Sequence, residues 1–237
     1  MPIDADGNAY TPYWPVVTIT PPSGRFIIRS GGLSRLEVES FRAVIKDQST
    51  AKYLPPRTLN SDEEIEKMQR DQVIAPWDHR RTFDIWQGDD MPGRLAINYL
   101  QLSPDHEHLP GPERPILLAQ MGVAMDSRFS GRGIAKEAFL AVLDFGFESM
   151  GVPLFQFGTE ERNLAMRGIL ERPPLSLKPM TEHNLDAEQA KVVAEWGKHS
   201  LVMVCYQITR EEWQQRLRGA WQAHFKARHS KAGPTSA

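Results

Sequence analysis

A single cysteine, Cys205, in 237 residues excludes an intrachain disulfide and any Cys-x-x-Cys metal knuckle. Charge of one sign is not in excess either. Lys and Arg number 28 against 30 Asp and Glu, so a net −2 implies neither a basic groove for nucleic acid nor an acidic solvating tail. No apolar run reaches the roughly 18 residues of a membrane span. The opening MPIDADGNAY has no basic n-region or apolar h-region, so the chain is expected in the cytoplasm and off the membrane. No repeat or linker divides it. With 41% hydrophobic residues it can build a substantial core unaided.

Residues 1–25 hold five prolines and little periodicity, which predicts an extended arm that Tyr10, Tyr13 and Trp14 pin down. Phe26 to Arg29 reads as a strand. Ser34 to Glu37 and Ser61 to Glu64 are capping boxes, opening helices with Val38, Phe41 and Ile45, and Ile65 and Met68, on their apolar faces. Runs at Arg81–Trp86, Leu95–Leu102 and Pro115–Met125, separated by turn-rich pieces at Gly88–Gly93 and Ser103–Glu113, predict an antiparallel meander. Ile134–Met150 is apolar nearly all round, as in a buried helix. A strand over Val152–Thr159 and a helix over Asn163–Arg172, stopped by Pro173-Pro174, follow. Val192–Trp196 and Leu201–Ile208 read as a hairpin. Thr209 to Glu212 is a third capping box, opening a helix with an apolar stripe of Trp213, Leu217, Ala220, Trp221 and His224. The expected division is an N-terminal arm (1–25), one α/β domain (26–213), and a C-terminal helix and tail (214–237) packed on it.

The stretch richest in chemistry runs from Met125 to Ala138. Gly131 and Gly133 remove side chains where a strand turns into a helix, so backbone N–H groups converge at the positive end of the helix dipole. Such a bend suits a phosphate or diphosphate, and Arg128 and Arg132 add cations beside it. Two known anion loops fail on spacing. Lys136 stands where the dinucleotide fingerprint needs a third glycine, and no Gly-Lys-Ser/Thr string forms a P-loop. Asp105-His106-Glu107-His108 packs adjacent ligands into a Pro-flanked loop that cannot turn them all to one ion, so it reads as surface and no metal is expected. No Gly-x-Ser-x-Gly elbow is present for a nucleophilic serine.

Arg128, Gly131 and Gly133 match Gln/Arg-x-x-Gly-x-Gly/Ala, and the segment resembles motif A of the GNAT superfamily of acyl-CoA-dependent N-acyltransferases. Ile134-Ala135-Lys136-Glu137-Ala138 is similar to the continuation found in the branch of ribosomal-protein N-terminal acetyltransferases. Asn163 to Arg167 resembles that branch's Asn-x-Ala-Ser-x helix, and Ser200 to Trp213 its closing strand and Thr-x-x-Glu-Trp. The resemblance covers about Phe26 to Trp213. It implies an α/β (α+β) fold, a mixed, mostly antiparallel sheet of six to seven strands flanked by helices and splayed between the strand ending at Met125 and the strand from Val152. It further implies that acetyl-CoA or another acyl-CoA is the co-substrate. Its pantetheine arm would lie along Val123, Ala124 and Met125, its diphosphate on Gly131, Arg132, Gly133, Ile134 and Ala135, and Asn163 would meet the cofactor or the amine. A neutral amine would attack the thioester directly, with a backbone N–H of the bulged strand polarising the carbonyl.

The sequence departs from that branch at three places: Met166 replaces its Ser, Leu170 stands where other branches carry Tyr, and Pro173-Pro174 replaces the Gly-Phe ending the helix. Both hydroxyls able to protonate a departing thiolate are therefore absent. Glu160 and Glu161 are the carboxylates available as base, and Gln120 can hydrogen-bond. The primary expectation is an N-acetyltransferase acting on a primary amine of a small molecule or peptide, as a monomer or homodimer. Two alternatives stay open: a GNAT-fold CoA-binding protein whose transfer chemistry is lost or altered, and an interaction protein using the fold as a scaffold.

Overall fold

In the computed structural model, which describes residues 2–12, 14–47, 61–74, 80–102, 115–180 and 203–230, the chain forms two compact units, Met1–Val152 and Pro153–Ala237. Seven strands are described, and within each unit the paired strands run antiparallel.

The first unit strings β1 (Thr18–Ile19), β2 (Ile27–Ser30), β3 (Arg80–Gln87), β4 (Asp90–Leu102) and β5 (Ile116–Met125) into a meander in chain order. Helix α1 (Arg35–Lys46) opens on the Ser34/Glu37 capping box, whose reciprocal bonds are both formed. Helix α2 (Asp62–Ile74) opens on the same device, with Ser61 and Glu64 exchanging bonds of 3.1 and 3.2 Å. Helix α3 (Ile134–Glu148) is buried on almost every side.

β3 is buried from Arg81 to Trp86, so helices cover both faces of the sheet there. Phe83 meets Phe145 of α3 edge to face at 5.8 Å. On the other face Trp86 and Met91 pack with Phe41 and Val44 of α1 and Ile65 of α2. The same face holds a buried ion pair, Arg94 on Asp84, with the guanidinium 4.0 Å above the Phe41 ring. Asp84 also accepts from the Gly32 N–H, and Gln69 donates to the Gly32 carbonyl at 2.6 Å, while Arg94 Nη1 and Gln69 Oε1 stay buried without a hydrogen-bond partner among the described residues.

Residues 90–93, expected as turn, belong to β4. The hairpin turns on Gly88 (φ +62°) and Asp89 alone, and Met91 and Pro92 together oppose Trp86 in a bulge. A bulge needs no ladder donor from proline, and the Pro92 carbonyl accepts the Asp126 N–H at 2.8 Å instead. The N-terminal residues are tied down by Tyr10, whose hydroxyl accepts from Leu33 N–H, and by Trp14, whose indole donates to the Arg80 carbonyl. Tyr13 lies outside the described residues.

In the second unit β6 (Leu154–Glu160) pairs with β7 (Met203–Thr209), and α4 (Leu164–Leu170) follows β6. Helix α4 ends before the Pro pair, with Glu171 as its C-cap. The proposed partner arm Val192–Trp196 lies outside the described residues, and Met180 bridges to Cys205 of β7. Thr209 caps α5 (Arg210–Glu212), a π turn follows over Trp213–Leu217, and α6 runs from Arg218 to Ser230. The buried stripe is Trp213, Leu217, Trp221 and Phe225, with Ala220 exposed and His224 only half-buried. The π turn bonds Arg218 N–H to Trp213 O, a wider turn that rotates later residues back and keeps every fourth one on a single line.

Candidate active site

β5 reaches the bend through Gly122–Met125, which pairs with Gly93–Ala96 in unbroken register. Val123, Ala124 and Met125 are half-buried. The register shifts in this ladder lie at its opposite end, where Leu100 on β4 and Leu117 on β5 are the extra residues. Gln120, buried on β5, stands across from Asn98.

After Met125 the chain makes one 3-10 turn over Ser127–Phe129, capped by Asp126, which accepts the Arg128 N–H at 2.9 Å. Asp47, the C-cap of α1, braces this turn by accepting from Ser127 N–H at 3.1 Å and its hydroxyl at 2.6 Å. Gly131 (φ +75°) and Gly133 (φ +78°) then reverse the chain into α3, a backbone conformation costly for any residue with a Cβ. A Cβ at either position would meet nothing within 4 Å, so the space over the bend is open. Gly133 is the N-cap and offers no side-chain bond. Among the described residues no acceptor takes the N–H groups of Gly131, Arg132, Gly133, Ile134 or Ala135. Five backbone donors at a helix start are thus left without a protein acceptor among the described residues.

The two arginines of the motif differ. Arg132 is exposed, forms no ion pair among the described residues, and lies 5.2 Å from the Phe129 ring centre. Arg128 is committed to Asp126, with Nε at 2.9 Å and Nη2 at 2.6 Å from Oδ2. Its side-chain bond holds the Asp126 carboxyl below the usual range, and Asp126, Asp90 and Asp47 raise the Arg128 guanidinium.

Sequence reasoning missed two residues at this bend. Glu137, one turn into α3, is fully buried and accepts from Ser23 N–H at 2.8 Å and Arg25 Nη2 at 3.1 Å. Arg25 also donates Nη1 to the Arg132 carbonyl at 3.3 Å. Only a buried acid in a motif helix could have hinted at the pairing, since its cation lies more than a hundred residues away.

In the second unit the Glu160 carboxylate accepts from Arg162 Nε at 2.7 Å with its side chain 13% exposed, whereas Glu161 is exposed. Asn163 caps α4, its Oδ1 accepting the Met166 N–H at 3.1 Å. Met166 is half-buried and Leu170 fully buried. Sequence reasoning also missed Tyr206 of β7, whose hydroxyl donates to Glu171 Oε1 at 2.5 Å while Arg167 Nε holds the same oxygen at 2.8 Å. Arg167 draws Glu171 below the usual carboxylate range; burial, then Glu171, pushes Tyr206 well above the ordinary phenol. Burial likewise raises the Cys205 thiol, which disfavours the nucleophilic thiolate. Among the described residues no three His, Cys, Asp or Glu side chains gather to hold a metal, and no helix is long and apolar enough to cross a membrane. Asp105–His108 lies outside them.

Residues 25–173 match the family model described as an acetyltransferase (GNAT) domain. Solved structures agree in fold. RimJ of Mycobacterium smegmatis in complex with a CoA disulfide superposes with a TM-score of 0.60 at 17% identity, covering 93% of this chain and 98% of its own. The Salmonella typhimurium acetyltransferase that modifies the N-terminal serine of ribosomal protein L7/L12 gives 0.56 at 15% identity, covering 81% and 98%. A GNAT-family acetyltransferase from Bacillus anthracis gives 0.56 at 16% identity, covering 83% and 100%. No curated protein matches the chain.

Proposed function

The chain belongs to the GNAT acetyltransferase family and is an acyl-CoA-dependent N-acyltransferase; we propose that it moves acetyl from acetyl-CoA to a primary amine of a peptide or small molecule. The observation that carries this reading is the uncapped start of α3, where Gly131 to Ala135 present backbone donors to open space. A diphosphate supplies the several acceptor oxygens these donors lack. Arg132 adds an exposed cation there, and Val123 to Met125 would run beside the pantetheine arm.

The reaction makes one C–N bond and breaks one C–S bond. The amine lone pair adds to the thioester carbonyl carbon, the adduct collapses, CoA leaves as its thiolate, and the amine's surplus proton passes to a base. Direct transfer needs no covalent enzyme intermediate, which suits a chain whose one thiol is held protonated by burial. An alkyl thiol has a pKa of about 8.5. Such a leaving group departs near neutral pH without a strong acid, so the missing hydroxyls at Met166 and Leu170 do not bar turnover. The acceptor, with a pKa of about 10.4 as an alkyl ammonium and about 7.7–8.0 as a protein N-terminal ammonium, must lose a proton first. We assign that proton to Glu160 or Glu161, with Gln120 as a hydrogen-bonding partner and Asn163 as a contact to cofactor or amine. A protein N-terminal amine is the first acceptor to try, since a structural relative acts on an N-terminal serine. The absent hydroxyls also favour a second reading, in which CoA binds but ordinary transfer is lost.

The deciding experiment is thiol release from acetyl-CoA across a panel of amines and peptide N-termini, paired with CoA calorimetry. Amine-dependent release is expected, abolished by Gly133→Trp with the far-UV circular dichroism unchanged. CoA binding with no release to any amine selects the second reading, and no CoA binding refutes both. Either Glu160→Gln or Glu161→Gln should lower the rate while CoA affinity holds. Unaltered pH–rate profiles in both variants would remove these carboxylates from the role.

A further inference from the structure

The bend's amides can serve a diphosphate only if their peptide planes face it. The carbonyl of Arg132 and the N–H of Gly133 belong to one trans peptide and point in opposite directions. Whatever holds the Arg132 carbonyl therefore aims the Gly133 N–H. Rotation of this plane changes φ of Gly133, the residue best able to take either sign, so the local sequence does not hold it. A carbonyl swung toward the ligand would set its oxygen against phosphate oxygens.

We propose that Arg25 is a positioning residue of the diphosphate site, fixing the Arg132–Gly133 peptide plane through its bond to the Arg132 carbonyl. The proposal rests on the reading that the bend holds diphosphate. Arg25 is well placed for it: Nη1 lies 3.3 Å from the Arg132 oxygen, and Nη2 is anchored 3.1 Å from Glu137 Oε2. Glu137 is itself immobilised, with Ser23 N–H on its other oxygen at 2.8 Å and its own N–H on the Gly133 carbonyl at 3.1 Å. The turn closed by Gly24 N–H on Pro21 O delivers Ser23 and Arg25 to the carboxylate together. Charge is ordered to match. The acid is fully buried and the cation 34% exposed, so the pair turns its positive end outward at a site meant for an anion. Without Arg25, a buried carboxylate one turn from the bend would oppose the ligand uncompensated.

The test compares acetyl-CoA with S-acetylpantetheine, which carries the thioester and no diphosphate. In Arg25→Met, affinity for CoA by calorimetry and kcat/KM for acetyl-CoA should fall about tenfold, the worth of one or two well-placed hydrogen bonds. The kcat/KM for S-acetylpantetheine should not change. Arg25→Met with Glu137→Gln leaves no stranded charge and should show the same selective loss, so misfolding of the single variant cannot mask the outcome. An equal loss with both thioesters marks Arg25 as a general structural residue and overturns the proposal. A wild-type preference for CoA over pantetheine that survives in the folded variants overturns it as well, leaving the diphosphate reading intact. No such preference in the wild type sinks both.

Discussion

Arg128 and Arg132 flank one bend with the same charge, yet their surroundings assign them different work. Arg128 is already bonded to Asp126, and its removal would free an acid beside the ligand rather than simply delete a cation. Arg132 has no carboxylate to satisfy among the described residues and keeps its donors for a phosphate. Arg132→Ala should therefore weaken CoA binding about tenfold. Arg128→Ala strands the Asp126 charge beside the ligand and should weaken it at least as much, a loss that Asp126→Asn added to Arg128→Ala should partly reverse. Calorimetry on the three variants checks the order. The motif in the sequence treats the two arginines alike because ion pairing is a matter of where side chains end up, and Asp126 is only two residues from Arg128 in a turn whose 3-10 shape the sequence does not announce.

Among the elements, local devices were legible and distant ones were not. The capping boxes at Ser34, Ser61 and Thr209 involve residues three apart, so the helix starts they predict are observed, and the glycine bend is visible because only glycine tolerates φ near +75° twice in three residues. The bulge at Met91-Pro92, expected as turn, and the π turn at Trp213, expected as ordinary helix, depend on what lies opposite each segment, and the sequence showed neither. The tie between α4 and β7 through Glu171 and Tyr206 spans 35 positions and left no local trace. Removing the hydroxyl there with Tyr206→Phe should cost about 1–3 kcal/mol, the range for a buried hydrogen bond to a charged group. Its pH dependence follows from both shifts. Tyr206 holds its proton more tightly folded than unfolded, so this contribution is whole below about pH 10 and fades as pH rises past it. Glu171 is depressed, so its share is present above about pH 4.3 and fades on acidification. Urea midpoints for wild type and Tyr206→Phe should thus differ most between those limits and converge outside them. A constant difference across the whole range would contradict the tie.

At the scale of the whole molecule, a ligand that binds only the folded chain must raise its melting temperature. Free CoA at a hundred times Kd adds about 2.7 kcal/mol. For a chain of this length that corresponds to roughly 5–10 °C. A thermal scan showing no rise with CoA, in a sample whose calorimetry reports binding, would mean that the ligand sits on a part that melts separately. The antiparallel meander, the buried helix after it and the family were all within reach of the sequence, because they rest on period and motif. The way residues before the meander serve the bend was not. The family match begins at residue 25, inside the hook formed by Ser23 and Arg25, so a gene trimmed to begin there would keep every motif glycine and still lose the Ser23 N–H that holds the buried Glu137 carboxylate. The hydrogen-bonded unit around the bend therefore starts upstream of the boundary drawn by similarity.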